Sequence, residues 1–217
     1  MALYSEKYPF QQQPLPYSYD ALEPLISRDL VYHHYNTIFA SYFTTLNQIL
    51  SAVPEYQNMT IVELIMNGYT LPKEIQFGVL LSAGGIYNHS LYFEGMIPQR
   101  GELTGTVLMD EINEAFSSFE NMKNIFIRAA DNLYGAGYIV LARTRRNGLR
   151  IISLSNNDTA IRVNLLPIIQ VDLYEHAYDF QNTASRSEYT EKWFDLVNWN
   201  IAEMRYTSNF NFRTTTQ

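Results

Sequence analysis

The sequence of 217 residues contains no cysteine. It therefore has no disulfide, no thiolate metal ligand and no cysteine nucleophile, and it lacks one sign of a secreted protein. Basic residues are outnumbered by acidic ones: the chain has 15 Lys and Arg and 22 Asp and Glu, which give a net charge of −7. Phosphate binding needs a basic face, so we expect no nucleic-acid partner. No apolar run approaches the roughly 20 residues that span a bilayer, and no signal-peptide pattern is present. We therefore expect no membrane partner and a cytoplasmic location.

The first half of the chain predicts helices. Ser27 suits a helix N-cap, and a long helix with apolar residues at helical spacing follows it. One face of that helix carries Leu30, His34, Ile38, Tyr42 and Leu46. A short helix is predicted between Asn58 and Pro72, and a second long helix from about Pro72 to Met96. Gly84 and Gly85 fall inside this second helix, where each costs about 1 kcal/mol relative to alanine. The pair indicates that another part of the protein approaches the helix closely there.

The composition changes at residues 97–102, which we take as a boundary between a domain of residues 1–97 and one of residues 98–217. The second half predicts two helices, then two strands joined by the hairpin signal Asn147-Gly148, a third strand and one last helix, with a tail from about residue 205. The predicted bounds are Thr104–Phe116, Phe119–Leu133, Tyr138–Arg143, Leu149–Leu154, Leu166–Val171 and about Glu188 to Met204. The predicted class is α+β: an N-terminal long-helix hairpin domain and a C-terminal α/β domain with a small three-stranded antiparallel sheet.

Histidine is scarce, with four in the chain: His33, His34, His89 and His176. Taken singly, each is more often an ordinary core or surface residue than a metal ligand. Their arrangement argues otherwise, because His34 and His89 lie on the inner faces of the two long helices, and Asp172 and His176 follow the third predicted strand. Three imidazoles and one carboxylate form a suitable ligand set for Mn, Fe or Zn. His33 is about 100° around the helix from His34, so we interpret it as structural or exposed.

Six motifs carry a resemblance to a known family. In chain order they are P-L-P-Y-S-Y-D-A-L-E-P, Y-H-H-Y, N-H-S-L-Y-F, Y-G-A-G, V-D-L-Y-E-H-A-Y and W-F-D-L-V-N-W. Over about residues 8–204 the chain resembles the iron/manganese superoxide dismutases, and D-x-x-E-H-A-Y with the later V-N-W is the most specific part. The resemblance implies one Mn ion, or Fe, per subunit, held by His34, His89, Asp172 and His176. It also implies that superoxide is converted to dioxygen and hydrogen peroxide as the metal alternates between its +3 and +2 states.

The resemblance implies roles for further residues. Tyr42 matches the family's gateway tyrosine, and Gly85 is the small residue typical of the manganese type, which leaves room for an amide from the other domain. That amide is usually glutamine; here it is Asn157, one methylene shorter and about 1.5 Å less in reach. Glu175 matches the glutamate that reaches the partner subunit's ligand histidine, which implies a homodimer or tetramer. The positions of the usual wall tryptophans hold Phe93, Tyr138 and Tyr174.

Two departures leave alternatives open. Ile38 stands where a histidine usually serves a proton relay at the interface, and Asp179 stands where its tyrosine partner is usual. One interpretation is a working dismutase with altered or reduced activity; the alternative is a dismutase-like structural or coat protein that binds metal with weak or no activity. A non-haem iron oxygenase is disfavoured, because it would use two histidines and one carboxylate. The choices of Mn or Fe and of dimer or tetramer stay open.

Overall fold

The fold begins with a long helix in three parts. The computed structural model describes residue 3 and residues 5–98, 103, 105–178 and 185–208. Helix α1 (Arg28–His33), a π-helical segment (His34–Phe39) and helix α2 (Ala40–Ser51) follow one another without a break. The Ser27 side chain accepts a hydrogen bond from the Leu30 N–H, which confirms the predicted N-cap.

The π-helical segment changes which side chains face the core. Val31, Tyr35, Phe39 and Phe43 are all buried, and they repeat at every fourth position. In a straight α-helix four residues turn through about 400°, so this series would drift by about 120° over three repeats. A π turn contains more residues than an α-helical turn, so each residue rotates the chain less, and this offsets the drift. On the predicted face Leu30, His34 and Leu46 are buried and Ile38 and Tyr42 are half-buried, while Phe39, outside that face, is 4% exposed.

Two further helices complete the first half. Helix α3 (Ile61–Met66) starts with a capping box in which Thr60 and Glu63 exchange side-chain to backbone hydrogen bonds, as favoured at helix N-termini. Helix α4 (Lys73–Glu94) is the predicted second long helix, and it packs against α2 and α3. The predicted helical hairpin is therefore confirmed.

The second half contains helices and one small sheet. Helices α5 (Val107–Phe116) and α6 (Phe119–Asp131) precede strands β1 (Gly137–Arg143), β2 (Leu149–Ser155) and β3 (Leu166–Asp172). The strand order is β2-β1-β3 and both pairings are antiparallel, which confirms the predicted sheet and the α+β class. Asn147 has a φ of 65° in the β1–β2 hairpin, a conformation that asparagine tolerates better than most residues.

The last part of the chain corrects a prediction. After α7 (Glu175–Tyr178), the single helix expected from about Glu188 to Met204 is two helices, α8 (Arg186–Trp193) and α9 (Trp199–Thr207), with a 3₁₀ turn at Phe194–Leu196. Val197 is extended and pairs with Met96, and the Asn198 side chain caps α9 by accepting from the Ile201 N–H. The capping residue and the bridge to the first half explain the break. Asp179 and most of the predicted tail lie outside the described residues.

Contacts between the two halves bring α4 and β3 together. The buried Arg205 of α9 donates to the Ile168 and Leu91 carbonyl oxygens, 3.2 and 3.3 Å away. Gln170 of β3 donates to the Asn88 carbonyl oxygen at 3.2 Å. These bonds hold the middle of β3 beside the C-terminal half of α4. Within the described parts of the chain, no helix has the length and apolar character needed to cross a membrane.

Candidate metal centre

Four side chains from four different elements converge at the junction of the two halves. His34 opens the π-helical segment, His89 lies in α4, Asp172 ends β3 and His176 lies in α7. One ligand atom from each lies within 4.8 Å of all the others. The Nε2 atoms of His34, His89 and His176 lie 3.6, 3.7 and 3.8 Å from Asp172 Oδ2. These are the four residues predicted from the sequence as ligands.

The cluster fits a metal ion because its ligand atoms are buried and lack hydrogen-bond partners. The three Nε2 atoms and Asp172 Oδ2 are buried, and none has a hydrogen-bond partner. A buried polar atom without a partner costs about 1–3 kcal/mol, so four of them converging on one point indicate that a cation completes the group. Nitrogen and carboxylate oxygen donors suit Mn, Fe or Zn.

Backbone contacts orient two of the four ligands. His89 Nδ1 lies 2.8 Å from the Gly85 carbonyl oxygen. Because a carbonyl only accepts, Nδ1 carries the proton and Nε2 keeps its lone pair for a metal. Asp172 Oδ1 accepts from the Tyr174 N–H at 2.9 Å, which leaves Oδ2 directed at the histidines.

The electrostatic state of the cluster also suits a cation. Burial lowers the pKa of His34 and lowers that of His89 to about 3, so both imidazoles are neutral at pH 7. Burial by itself would raise the pKa of Asp172, but the closeness of the His176, His34 and His89 ring nitrogens outweighs it and holds that pKa well below 3.8. The buried group therefore combines neutral imidazoles with an ionised carboxylate, and a cation supplies the missing positive charge.

Aromatic rings surround the ligands. The Phe93 ring centroid lies 4.9 Å from that of His34, and the Tyr174 ring stacks on His176 at 5.0 Å and 16°. The Tyr138 hydroxyl lies 3.4 Å from His89 Nδ1. The structure thus brings the three residues expected at the tryptophan positions into contact with three different ligands.

Tyr42 lies against the glycines of α4. Its ring centroid is 5.2 Å from that of His89, and a Cβ built on Gly85 would lie 2.6 Å from the Tyr42 Cδ1 atom. Burial raises the pKa of Tyr42, and the neighbouring Asn157 side chain opposes part of that rise. The space over Gly85, expected to admit an amide, is thus occupied by the Tyr42 ring.

Asn157 lies over Gly84, the glycine that precedes Gly85 in α4. A Cβ built on Gly84 would lie 2.2 Å from the Asn157 carbonyl oxygen. The Asn157 side chain is buried; its Nδ2 donates to the Leu81 carbonyl oxygen at 3.2 Å, and its Oδ1 accepts from Tyr138 at 3.4 Å. The close approach predicted from the glycine pair is therefore confirmed. It is made by a ring at one glycine and by a backbone carbonyl at the other.

Two predicted residues lie at the edge of the centre. Glu175 is next to His176, its side chain is 63% exposed, and its Oε1 is 3.6 Å from Arg186 Nη2. Ile38 is half-buried in the π-helical segment. His33, which we excluded as a ligand, is half-buried and lies outside the cluster.

Two residues that the sequence does not predict lie at the centre or directly behind it. Phe39 stacks on His89, with ring centroids 5.4 Å apart and planes at 11°. It follows His34 by five positions, about 140° around a straight α-helix, so only the π turn brings both residues to one side. The Tyr189 hydroxyl lies 2.9 Å from the Tyr92 hydroxyl, and the Tyr92 ring centroid lies 5.4 Å from that of His34. No sequence signal links Tyr189 to the site, because the contact joins α4 and α8 across the two halves.

Comparison with known proteins matches both halves of the chain. Residues 9–97 match the sequence model of the alpha-hairpin domain of iron/manganese superoxide dismutases, and residues 104–205 match that of their C-terminal domain. Superoxide dismutase [Mn] 2 of Bacillus anthracis is 34% identical over 197 residues, which are 91% of this chain and 94% of the relative. Superoxide dismutase [Mn] 1 of Leptolyngbya boryana is 32% identical over 200 residues, 91% of this chain and 81% of the relative. The corresponding protein of Listeria innocua is 31% identical over 197 residues, 91% of this chain and 97% of the relative. The chain belongs to the iron/manganese superoxide dismutase family.

Proposed function

We propose that this protein is a superoxide dismutase that uses one manganese or iron ion held by His34, His89, Asp172 and His176. The observation that carries the proposal is the set of four buried ligand atoms that lack hydrogen-bond partners and lie within 4.8 Å of one another. Membership of the family and the similarity to manganese enzymes support it. The alternative of a structural or coat protein without activity has no support from either source.

The protein's own residues set the conditions for the reaction. When bound, manganese or iron supplies the redox chemistry by alternating between its +3 and +2 states, so that one superoxide is oxidised to dioxygen and the next is reduced to hydrogen peroxide. Asp172 provides a negative charge, and the three imidazoles provide nitrogen donors, which together favour a cation of this class. The aromatic rings of Phe93, Tyr138 and Tyr174 exclude bulk water from the ligands and hold their rings in place.

Tyr42 is the residue proposed to deliver protons, and Asn157 is the amide proposed to orient it. Reduction of superoxide to hydrogen peroxide consumes two protons, and Tyr42 carries a hydroxyl donor on a ring whose centroid lies 5.2 Å from that of the ligand His89. Burial keeps the pKa of Tyr42 above 10, so the phenol stays protonated at neutral pH. The Asn157 side chain lies close enough to oppose part of that rise in the pKa, and its Oδ1 accepts from Tyr138 at 3.4 Å. A buried hydroxyl beside this amide can donate a proton and be reprotonated between turnovers.

Metal analysis combined with a dismutation assay tests the function. The parent protein is expected to carry close to one Mn or Fe per chain and to remove superoxide far faster than the same amount of free ion. His176→Ala is expected to lose both the metal and the activity, because it removes a ligand and leaves Asp172 without one of its partners. His33→Ala is the matched control, since it also removes an imidazole but leaves the cluster complete, and it is expected to keep both. A metal-loaded parent with no activity above free ion would contradict the proposal.

Three broader inferences accompany the function. We infer that residues 1–97 and 98–217 form two domains with two ligands each, which is supported by the separate family matches to residues 9–97 and 104–205. We infer a homodimer or tetramer in which Glu175 reaches the partner's ligand histidine, supported by the exposed carboxylate beside His176. A cytoplasmic location stays a prediction, to be checked by cell fractionation.

A further inference from the structure

Residues 8–17 form a strap that lies across the helices carrying His34 and His89. Near its start, the Phe10 N–H donates to Asn47 Oδ1 at 2.9 Å, and Asn47 Nδ2 donates back to the Phe10 carbonyl oxygen at 2.8 Å. At its other end, the Tyr17 hydroxyl donates to the carbonyl oxygen of Phe93 in α4 at 3.1 Å. The strap is therefore bound to both ligand-bearing helices.

The middle of the strap binds the π-helical segment itself. Gln12 Nε2 donates to the Tyr35 carbonyl oxygen at 2.9 Å. The same oxygen accepts the Ala40 N–H, five residues along, which is the hydrogen bond that defines a π turn. The Tyr35 hydroxyl donates to the Gln13 carbonyl oxygen, so Tyr35 is held to the strap at both its backbone and its side chain. Tyr35 directly follows the ligand His34.

The π turn needs support because it is intrinsically rare. Well under 1% of residues adopt it, most often as single turns at functional sites. A carbonyl oxygen has two lone pairs, and the Gln12 amide fills the one that the helix leaves open. If this segment relaxed to an α-helix, the residues on either side would rotate relative to each other, and Phe39 and Tyr42 would turn away from His34.

We propose that Gln12 is a positioning residue for the metal centre, acting through the Tyr35 carbonyl to hold the π turn and thereby the direction of the His34 imidazole. This inference rests on the proposed metal-binding function. It assigns a role to a segment that contributes no ligand. Gln12 fixes the backbone at the residue after His34, as an outer hydrogen bond fixes a ligand side chain elsewhere.

Cobalt(II) is a suitable probe, because its visible absorption reports ligand geometry without any turnover. Gln12→Met keeps the length of the side chain but removes the donor. It is expected to shift the cobalt absorption and to release the ion to a chelator about 10-fold faster, the lower end of the effect of removing an outer hydrogen bond. Gln12→Lys restores a donor at similar reach and is expected to recover most of both properties. Gln11→Met, at an exposed neighbouring position, is the matched control and should equal the parent.

A second control separates positioning from general stability. Asn47→Leu loosens the strap at Phe10 without touching Tyr35, so it is expected to lower the urea midpoint while the cobalt absorption stays that of the parent. The inference is overturned if Gln12→Met keeps the parent's absorption and release rate, or if Asn47→Leu changes both as much. A parent that binds no cobalt(II) would overturn the metal-binding function together with this inference. If the parent binds cobalt(II) and the Gln12 variants keep the parent's absorption and release rate, this inference alone is overturned.

Discussion

Two residues of the metal centre, His89 and Asp172, are held in their deprotonated forms, which become less favourable as the pH falls. His89 has a pKa of about 3 in the folded protein against 6.5 for an exposed imidazole, because burial penalises its charged form. Between these two values the unfolded chain binds more protons at this position than the folded one, so the stability of the metal-free protein falls as the pH falls. The pKa of Asp172 is also lowered, and it adds to the loss below about 3.8.

The metal-free protein is therefore expected to lose stability on going from about pH 6.5 to pH 4. For His89 alone the loss is up to about 3 kcal/mol, and it can be measured as the urea midpoint at each pH. His89→Gln removes the titrating group and is expected to flatten the profile. A parent midpoint that is constant over this range, or an equally steep profile in the variant, would contradict the assignment of the loss to His89.

At the same scale, the sequence predicts the ligands better than their surroundings. His34, His89, Asp172 and His176 could be selected because scarce residue types occur on inner faces of predicted elements. The position of the Asn157 side chain could not be selected in this way. It depends on where a loop of the second half meets α4, and Asn157 binds the Leu81 carbonyl and Tyr138 rather than lying over Gly85.

Among the elements, α4 carries two glycines, Gly84 and Gly78, whose neighbours differ in kind. A Cβ at Gly84 would lie 2.2 Å from the Asn157 backbone oxygen, whereas a Cβ at Gly78 would meet only the end of the Ile49 side chain, at 2.7 Å. The two positions lie in the same helix and differ in whether the neighbouring atom can move. The first approach is a contact between two backbones, and the second is a contact with a flexible side chain.

Gly84→Ala is expected to destabilise the protein by about 1–3 kcal/mol and to lower activity, because the loop that carries Asn157 must move away. Gly78→Ala is the matched control and is expected to stay within about 1 kcal/mol of the parent, since the helical preference of alanine offsets a small side-chain shift. Urea unfolding and the dismutation assay measure both effects. Equal destabilisation by the two substitutions would argue against a rigid contact at Gly84.

Element boundaries show where sequence patterns stop being informative. Hydrophobic periodicity predicts the long helices, the hairpin and β3, but it assumes a straight helix of 3.6 residues per turn. It therefore missed Phe39 in the π-helical segment. It also joined α8 and α9, because the break at Val197 arises from a bridge to Met96, a residue about a hundred positions earlier.

The whole molecule presents Glu175 on its surface beside a ligand. Arg186 lies 3.6 Å from this carboxylate and is itself held by hydrogen bonds to Tyr178 and to the carbonyl oxygens of Leu133 and Gly135. Glu175 is thus partly oriented within one chain, and the proposed partner histidine would complete its contacts. Assembly of the dimer and retention of the metal would then depend on the same side chain.

Glu175→Ala is expected to raise the dimer dissociation constant by at least about 10-fold and to speed metal loss, because both subunits lose the same contact. Sedimentation velocity over a concentration series and a chelator assay measure the two effects. Glu188→Ala is the control, since Glu188 is half-exposed and forms an ordinary surface ion pair with Lys192 at 2.9 Å. A parent that is monomeric at tens of micromolar, or two variants that behave alike, would contradict the role of Glu175.

The separation of the four ligands along the chain has a consequence for biosynthesis. His34 and His89 leave the ribosome early, but Asp172 and His176 follow only after about four-fifths of the chain has been made. Until then a growing polypeptide offers two histidines on a helical hairpin, which form an incomplete ligand set. The complete ligand set therefore forms only once His176 has been synthesised, and the concentrations of manganese and iron from then on help to determine which of them enters.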